Sequence, residues 1–342
     1  MVLPLALTLG EPAGIGPEIT FAAWRRRIEA GLQAFYVLAD PQFLRRCARR
    51  LAPDIPVAVV EPPTAASAFD NALPVVDIGI AVTASPAQPD DSSAPAALAA
   101  IRRAVVDVIS GNAAAIVTNP VAKNVLYRSG FGEPGHTEHL AKLAKELTGA
   151  KTQPVMMLWS PELAVVPVTV HLPLKDVIGA LTTDLIVTTG RIVARDLNRR
   201  FAIARPRLAV AGLNPHAGED GTLGDEDLAV VRPAVEQLKA EGIDARGPIA
   251  ADSMFHAAAR ATYDAALAMY HDQALIPIKA LAFDHAVNVT LGLPFVRTSP
   301  DHGTAFDIAG TGQADPTSLI AAIALAARLS ARAGAQAAAP SR

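Results

Sequence analysis

Short apolar runs alternate along this chain with longer stretches whose apolar positions recur every three or four residues. The runs predict strands at 5–9 (LALTL), 34–39, 57–61, 113–119, 154–159, 163–170, 207–213, 265–270 and 286–293. Helical spacing appears at 94–110, where Leu98, Ile101, Val105 and Ile109 share one face, and at 136–149, which closes on Lys145 and Gly149. A third helix, 224–242, opens with acidic residues and stops at a glycine. Strands interleaved with helices predict an α/β fold with parallel pairing. Residues 57–91, rich in Pro, Ala and Ser, read as loops around two short strands, and the Ala-rich tail 331–342 as a frayed end. Pro-Gly punctuation at 131–138 and a return near 285 suggest two domains, 1–130 plus 285–342 and 131–284.

Three of the apolar runs end in histidine: His171 in VTVHLPLKD, His216 in GLNPHAGEDG and His271 in MYHDQ. Open α/β sheets bind ligands beyond the carboxyl ends of their strands. Three neutral imidazoles from three strand ends, with a position left open, make a catalytic divalent-metal site. Asp176, Asp252 and Asp272 are within sequence reach as carboxylates to orient them. The competing reading of each histidine is a turn or capping residue, and the pattern alone leaves both open.

Composition narrows the classes. In 342 residues, 51% are hydrophobic and 18% charged, which describes a water-soluble chain with ample core. A net charge of −3 without a basic-aromatic patch argues against nucleic acid, and no apolar run is long enough to span a membrane. The single cysteine, Cys47, fits a reducing compartment, so a cytoplasmic protein is expected.

Other polar groups gather near strand and helix ends. The loop GEPAGIGPE holds Gly14 and Gly16 but has Ile19 where a dinucleotide fingerprint needs its third glycine. His136 and Thr137 in GHTEH stand at a helix start, suited either to an anion or to plain capping. Lys279 and Arg297 add positive charge, and Asn288 interrupts an apolar strand where it needs a hydrogen-bond partner. SPDHGTAFDIAGTG (299–312) either cradles a cofactor or is an ordinary connection.

Six motifs in register, GEPAGIGPE, GHTEH, VHLPLKD, GLNPHAGEDG, MYHDQALIPIK and VNVTLGLPFVRTSPDHGTAFDIAG, closely resemble the 4-hydroxythreonine-4-phosphate dehydrogenase (PdxA) family of vitamin B6 biosynthesis, from about Leu5 to about Leu329. The resemblance implies two α/β/α domains with a cleft, as in isocitrate and isopropylmalate dehydrogenases, and a homodimer with a shared active site. It implies a divalent metal (zinc, magnesium or cobalt) on His171, His216 and His271. Substrate contacts would come from His136, Thr137, Lys279, Asn288 and Arg297. NAD or NADP would sit on the loop holding Asp301, His302, Gly303 and Asp307, which accounts for the missing fingerprint. Asp252, Asp272 and Lys279 are candidates to take the substrate's hydroxyl proton. The implied reaction oxidises 4-phosphohydroxy-L-threonine to 2-amino-3-oxo-4-(phosphooxy)butanoate, which decarboxylates to 3-amino-2-oxopropyl phosphate. Rival readings are a sister dehydrogenase for threonate or erythronate 4-phosphate and a three-histidine phosphohydrolase.

Overall fold

The computed structural model describes residues 2–133 and 135–337. Its strands are β1 (Leu5–Thr8), β2 (Phe35–Ala39), β3 (Val57–Val59), β4 (Leu73–Asp77), β5 (Ile116–Thr118), β6 (Val155–Trp159), β7 (Ala164–Pro167), β8 (Arg207–Ala211), β9 (Asp244–Ile249), β10 (Ala265–Ala268), β11 (Val287–Leu291) and β12 (Arg297–Pro300). Helices connect most of them, and the expected α/β class is the class observed. Among the described residues no single helix is long and apolar enough to cross a membrane.

The chain divides into two compact units. The first takes the described residues through Pro154 together with Leu293–Ala331; the second takes Val155–Gly292 and the described residues from Arg332 on. The crossings therefore fall later than the Pro-Gly punctuation suggests. The reason is packing: helix His136–Thr148 buries Leu140, Leu143 and Ala144 in the same cluster as Ala100, Ile101 and Ala104 of helix Ser93–Ile109. The punctuation thus separates two helices of one unit. The return is late because β11 pairs with β6 of the second unit.

In the first unit the strands run in the order β3-β4-β2-β1-β5-β12, and every pairing is parallel. β1 and β2 are buried at every position, as strands covered by helices on both faces must be. A polar anchor sits in this core: the Tyr36 hydroxyl donates to Asp107 at 2.8 Å and Arg103 Nε donates to the same carboxylate at 2.9 Å. β12, with the sequence RTSP, is buried throughout although it holds no large apolar residue.

The second unit orders its strands β11-β6-β7-β10-β8-β9. β7, β10, β8 and β9 are parallel, but β6 runs antiparallel to both β11 and β7, so parallel pairing does not extend across this sheet. Only Ser160–Leu163 lie between β6 and β7, enough for a hairpin and far too few for a crossover. The predicted helix 224–242 is a π-helical turn, Asp227–Val231, followed by a regular helix, Arg232–Ala240. Ile109, expected on a buried stripe, is 38% exposed at the end of its helix. Of the tail 331–342 expected to fray, residues 331–337 instead continue helix Thr317–Ala337, and 338–342 lie outside the described residues.

Candidate active site

The second unit brings the three histidines to one edge. β7, β10 and β8 are consecutive neighbours and parallel, so their carboxyl ends point the same way. His171 follows β7, His271 follows β10 and His216 follows β8. The rings of His171 and His271 lie 5.7 Å apart between centroids. His216 is two-thirds exposed, with Nδ1 3.8 Å from the Glu219 carboxylate. Among the described residues no group of three or more His, Cys, Asp or Glu side chains closes around a metal-sized point. The structure therefore pairs two of the histidines and puts the third on the adjoining strand end.

Backbone conformation singles out the same positions. His171 has φ 45° and His216 φ 54°, both in the left-handed region that costs a residue with a Cβ about 1 kcal/mol or more. Around His216 the strain is serial: Ala217, Glu219 and Asp220 have φ 53°, 42° and 52°. His271 instead opens helix His271–Ala282, and its Nδ1 lies 2.8 Å from Asp272 Oδ1. With the carboxylate ionised, Nδ1 carries the proton and Nε2 keeps its lone pair for a ligand. The donor chemistry fits a divalent cation, with three imidazoles at three neighbouring strand ends and one tautomer already fixed.

Asp272 is thus committed to His271. Asp252 lies exposed in the short helical turn Ala251–Ser253, and Asp176 lies exposed in the first turn of helix Leu174–Ala180. Lys279, half-buried, holds its ammonium 5.4 Å from the Phe283 ring. Asn288 on β11 has a buried side-chain oxygen with no hydrogen-bond partner, the kind of orphan acceptor that a ligand donor would satisfy.

The first unit holds a different constellation. Arg297 on β12 is only 4% exposed and donates from Nε (3.2 Å) and Nη2 (2.6 Å) to the hydroxyl of Thr118, the last residue of β5. Burial pulls its pKa down to about 10, which still leaves it charged at neutral pH. Its Nη2 also lies 3.4 Å from His136 Nδ1. A guanidinium can only donate, so Nδ1 must accept, and the neutral ring then carries its proton on Nε2. Burial, with the Arg297 charge second, holds His136 well below the ordinary histidine pKa, which agrees with the neutral form. That Nε2 is buried without a partner. A desolvated cation beside an unspent N–H donor suits an anion.

His136 opens helix His136–Thr148, and no side chain caps that end, so plain capping by His136 or Thr137 is not what these residues do. Thr118 is a site residue that the sequence reading passed over. A partial signal was available, because it stands one residue before the end of the predicted run 113–119 and ends the observed β5.

The loop with Asp301, His302, Gly303 and Asp307 follows β12 in this unit. Ile15 N–H donates to Thr304 O at 3.0 Å, and Gly312 N–H donates to Glu18 Oε1 at 3.2 Å. A Cβ on Gly14 would stand 2.9 Å from Thr304 O. Gly14 is therefore there for close approach of two loops: GEPAGIGPE, through Ile15 and Glu18, braces the segment 304–312. His302, Gly303 and Asp307 are exposed, and a Cβ on Gly303 would meet nothing within 4 Å, so this stretch is open to a ligand.

Known structures define the class first. A 4-hydroxythreonine-4-phosphate dehydrogenase from Klebsiella pneumoniae is 37% identical, with a TM-score of 0.83 over 96% of this chain and 98% of that one. A terephthalate 1,2-cis-dihydrodiol dehydrogenase from Burkholderia xenovorans is 27% identical, with a TM-score of 0.64 over 96% and 98%. These likenesses put the chain among α/β dehydrogenases. A 4-hydroxythreonine-4-phosphate dehydrogenase from Bradyrhizobium diazoefficiens is 63% identical over 336 residues, 96% of this chain and 97% of that protein. The family model described as pyridoxal phosphate biosynthetic protein PdxA matches residues 31–326. The chain belongs to the PdxA family.

Proposed function

We propose that this chain oxidises the secondary hydroxyl of 4-phosphohydroxy-L-threonine in the formation of pyridoxine 5'-phosphate. The observation that carries the reading is the 63% identity, across nearly the whole length, to the dehydrogenase of that name from Bradyrhizobium diazoefficiens. The alcohol loses a hydride and a proton to give 2-amino-3-oxo-4-(phosphooxy)butanoate. This β-keto acid then loses CO2 to give 3-amino-2-oxopropyl phosphate.

The first unit supplies the anion site. Arg297, held by Thr118, and the Nε2–H of His136 bind the phosphate, with Thr137 at the same helix end. Remote binding of this kind positions the reacting carbon and is expressed in the chemical step. The loop with Asp301, His302, Gly303 and Asp307 holds NAD or NADP, which when bound supplies the hydride acceptor.

The second unit supplies the electrophilic edge. His171, His216 and His271 hold a divalent cation (zinc, magnesium or cobalt), which when bound lends Lewis acidity to the hydroxyl and then to the ketone. Asp272 fixes the His271 tautomer, and Asn288 and Lys279 complete the substrate contacts. Asp272 being so engaged, we assign the hydroxyl proton to the Asp252 carboxylate, or to Lys279 when its amine is neutral. Leu172, Leu174, Ile178, Ile276 and Phe283 are large apolar side chains left exposed on this unit, which supports a homodimer whose site is shared across subunits. Its one cysteine suits the cytoplasm.

Absorbance at the NADH band tests the reading, using full-length protein, NAD+ or NADP+, a divalent metal and 4-phosphohydroxy-L-threonine. A rise that EDTA abolishes is expected. No rise with this substrate, but one with erythronate or threonate 4-phosphate or with a cis-dihydrodiol, would move the chain to a sister specificity. Phosphate release without cofactor would replace the reading with a hydrolase.

A further inference from the structure

The three strand ends that bear His171, His271 and His216 are tied together by hydrogen bonds belonging to none of the histidines. Met269, fully buried, is the hub. Its carbonyl accepts from Thr169 N at 3.2 Å and from Thr169 Oγ1 at 2.7 Å. Its N–H donates to Gln273 Oε1 at 2.6 Å. Gln273 Nε2 then donates to Gly212 O at 2.8 Å. The assignment of the carboxamide is forced, because an N–H faces one end and a carbonyl the other.

The chain of bonds Thr169–Met269–Gln273–Gly212 therefore crosses β7, β10 and β8 in spatial order. It does so two residues before His171, two before His271 and four before His216. The β10–β8 register ends at Leu267↔Val210. Beyond it, the Gln273 carboxamide stands in for a peptide unit and bridges the two strands at a point where their backbones no longer pair. Directly past Gly212, the fully buried Asp227 carboxylate accepts from Leu213 N at 2.7 Å and Asn214 N at 3.0 Å. Gly212 and Gly218 leave it room, since a Cβ on either would lie within 3.3 Å of that side chain. The strained turn with His216 is thus clamped at its base.

We propose that Gln273 is a positioning residue that sets the spacing between the strand ends bearing His271 and His216. The proposal rests on the metal reading of those histidines for its functional meaning. As the third residue of helix His271–Ala282, Gln273 would otherwise be only a helix-end acceptor. The two roles differ in one bond. Gln273→Glu keeps the acceptor for Met269 N–H and suits a helix N-terminus, yet has no donor for Gly212 O. Gln273→Met loses both.

Two measurements on the full-length, metal-free protein test it. The first is hydrogen–deuterium exchange of the segment 212–221. We expect about tenfold faster exchange in Gln273→Glu at unchanged melting temperature, and exchange equal to wild type overturns the proposal whether or not a metal binds. The second is Zn2+ titration by calorimetry, without substrate. Both variants should bind about tenfold more weakly than wild type, the scale seen when groups that orient metal ligands are removed. Wild-type or tighter affinity in Gln273→Glu overturns the positioning role. If wild-type protein takes up no Zn2+, and His271→Ala changes nothing, it is the metal reading that fails, and the brace is judged on exchange alone.

Discussion

The two constellations bear opposite kinds of cost. In the first unit Arg297 and His136 sit on relaxed backbone but in a desolvated place, so the expense is electrostatic. In the second, His171 and His216 are well solvated but sit on left-handed turns, so the expense is conformational. A buried cation lowers its own energy when an anion arrives; a left-handed turn fixes where an exposed imidazole leaves its strand, although among the described residues the three rings do not yet close around one point. The contrast supports the two proposed sites differently: the phosphate by the charge it would neutralise, the cation by strand ends held in place before it binds.

The largest effect should come from the strained side. His171→Ala, His216→Ala or His271→Ala is expected to lose bound metal and nearly all turnover. His171 and His216 are exposed and His271 is half-exposed at a helix start, so the melting temperature should hold or fall only slightly. Metal retained with full activity in any one of them would remove that residue from the edge.

Arg297→Met tests the desolvated side. KM for the phosphorylated substrate should rise about 10- to 100-fold, the worth of one charge-assisted contact. Stability should stay level or rise, since an apolar group replaces a buried charge. A fall in melting temperature with KM unchanged would make Arg297 structural and erase the contrast. Thr118→Val, which removes the hydroxyl that holds the guanidinium, should raise the same KM about tenfold and leave cofactor KM alone.

Gly14→Ala probes the loop brace. The added carbon must push Thr304 away, so a several-fold rise in KM for NAD+ is expected with substrate KM unchanged. Equal KM values would detach the 301–312 loop from cofactor binding.

The smallest effect is in pH. The folded-state pKa of His136 lies below its unfolded value, so the unfolded chain binds more protons as pH falls below about 6.5. Its contribution is complete above that pH and is lost toward acid. His285 works the other way: Asp284, then Glu162, raise its pKa, so it stabilises at low pH and fades as pH climbs. Urea unfolding of His136→Gln should show a shallower acid-side loss than wild type. An identical slope would mean that His136 is already solvated, ending the electrostatic half of the comparison.

Much of this was legible from apolar spacing. β1, β2, β5, β8, β10 and β11 lie inside predicted runs, and the histidines stand at strand ends as read. β12 escaped because RTSP is polar and yet wholly buried, its burial decided by tertiary partners such as Thr118. β9 escaped because DARGPI contains Gly and Pro and buries only Ala245 fully. The anion pair was legible as residue types, His136 and Arg297, but their meeting across 161 residues was not. Gln273 left no signal at all, since a glutamine in a first helical turn looks like any other until both ends of its carboxamide are traced.

β12 has a consequence for the order in which the molecule is made. Its Arg297 lies 179 positions after Thr118 and meets it only once that whole stretch has left the ribosome, while the bulk of the second unit is one unbroken segment, Val155–Gly292. During synthesis, therefore, β5 waits as a bare sheet edge while the second unit already has its strands, and an unpaired edge invites wrong partners. The strand that brings Arg297 to Thr118 also closes that edge, so a nascent chain gains its buried guanidinium contact and covers β5 in one event.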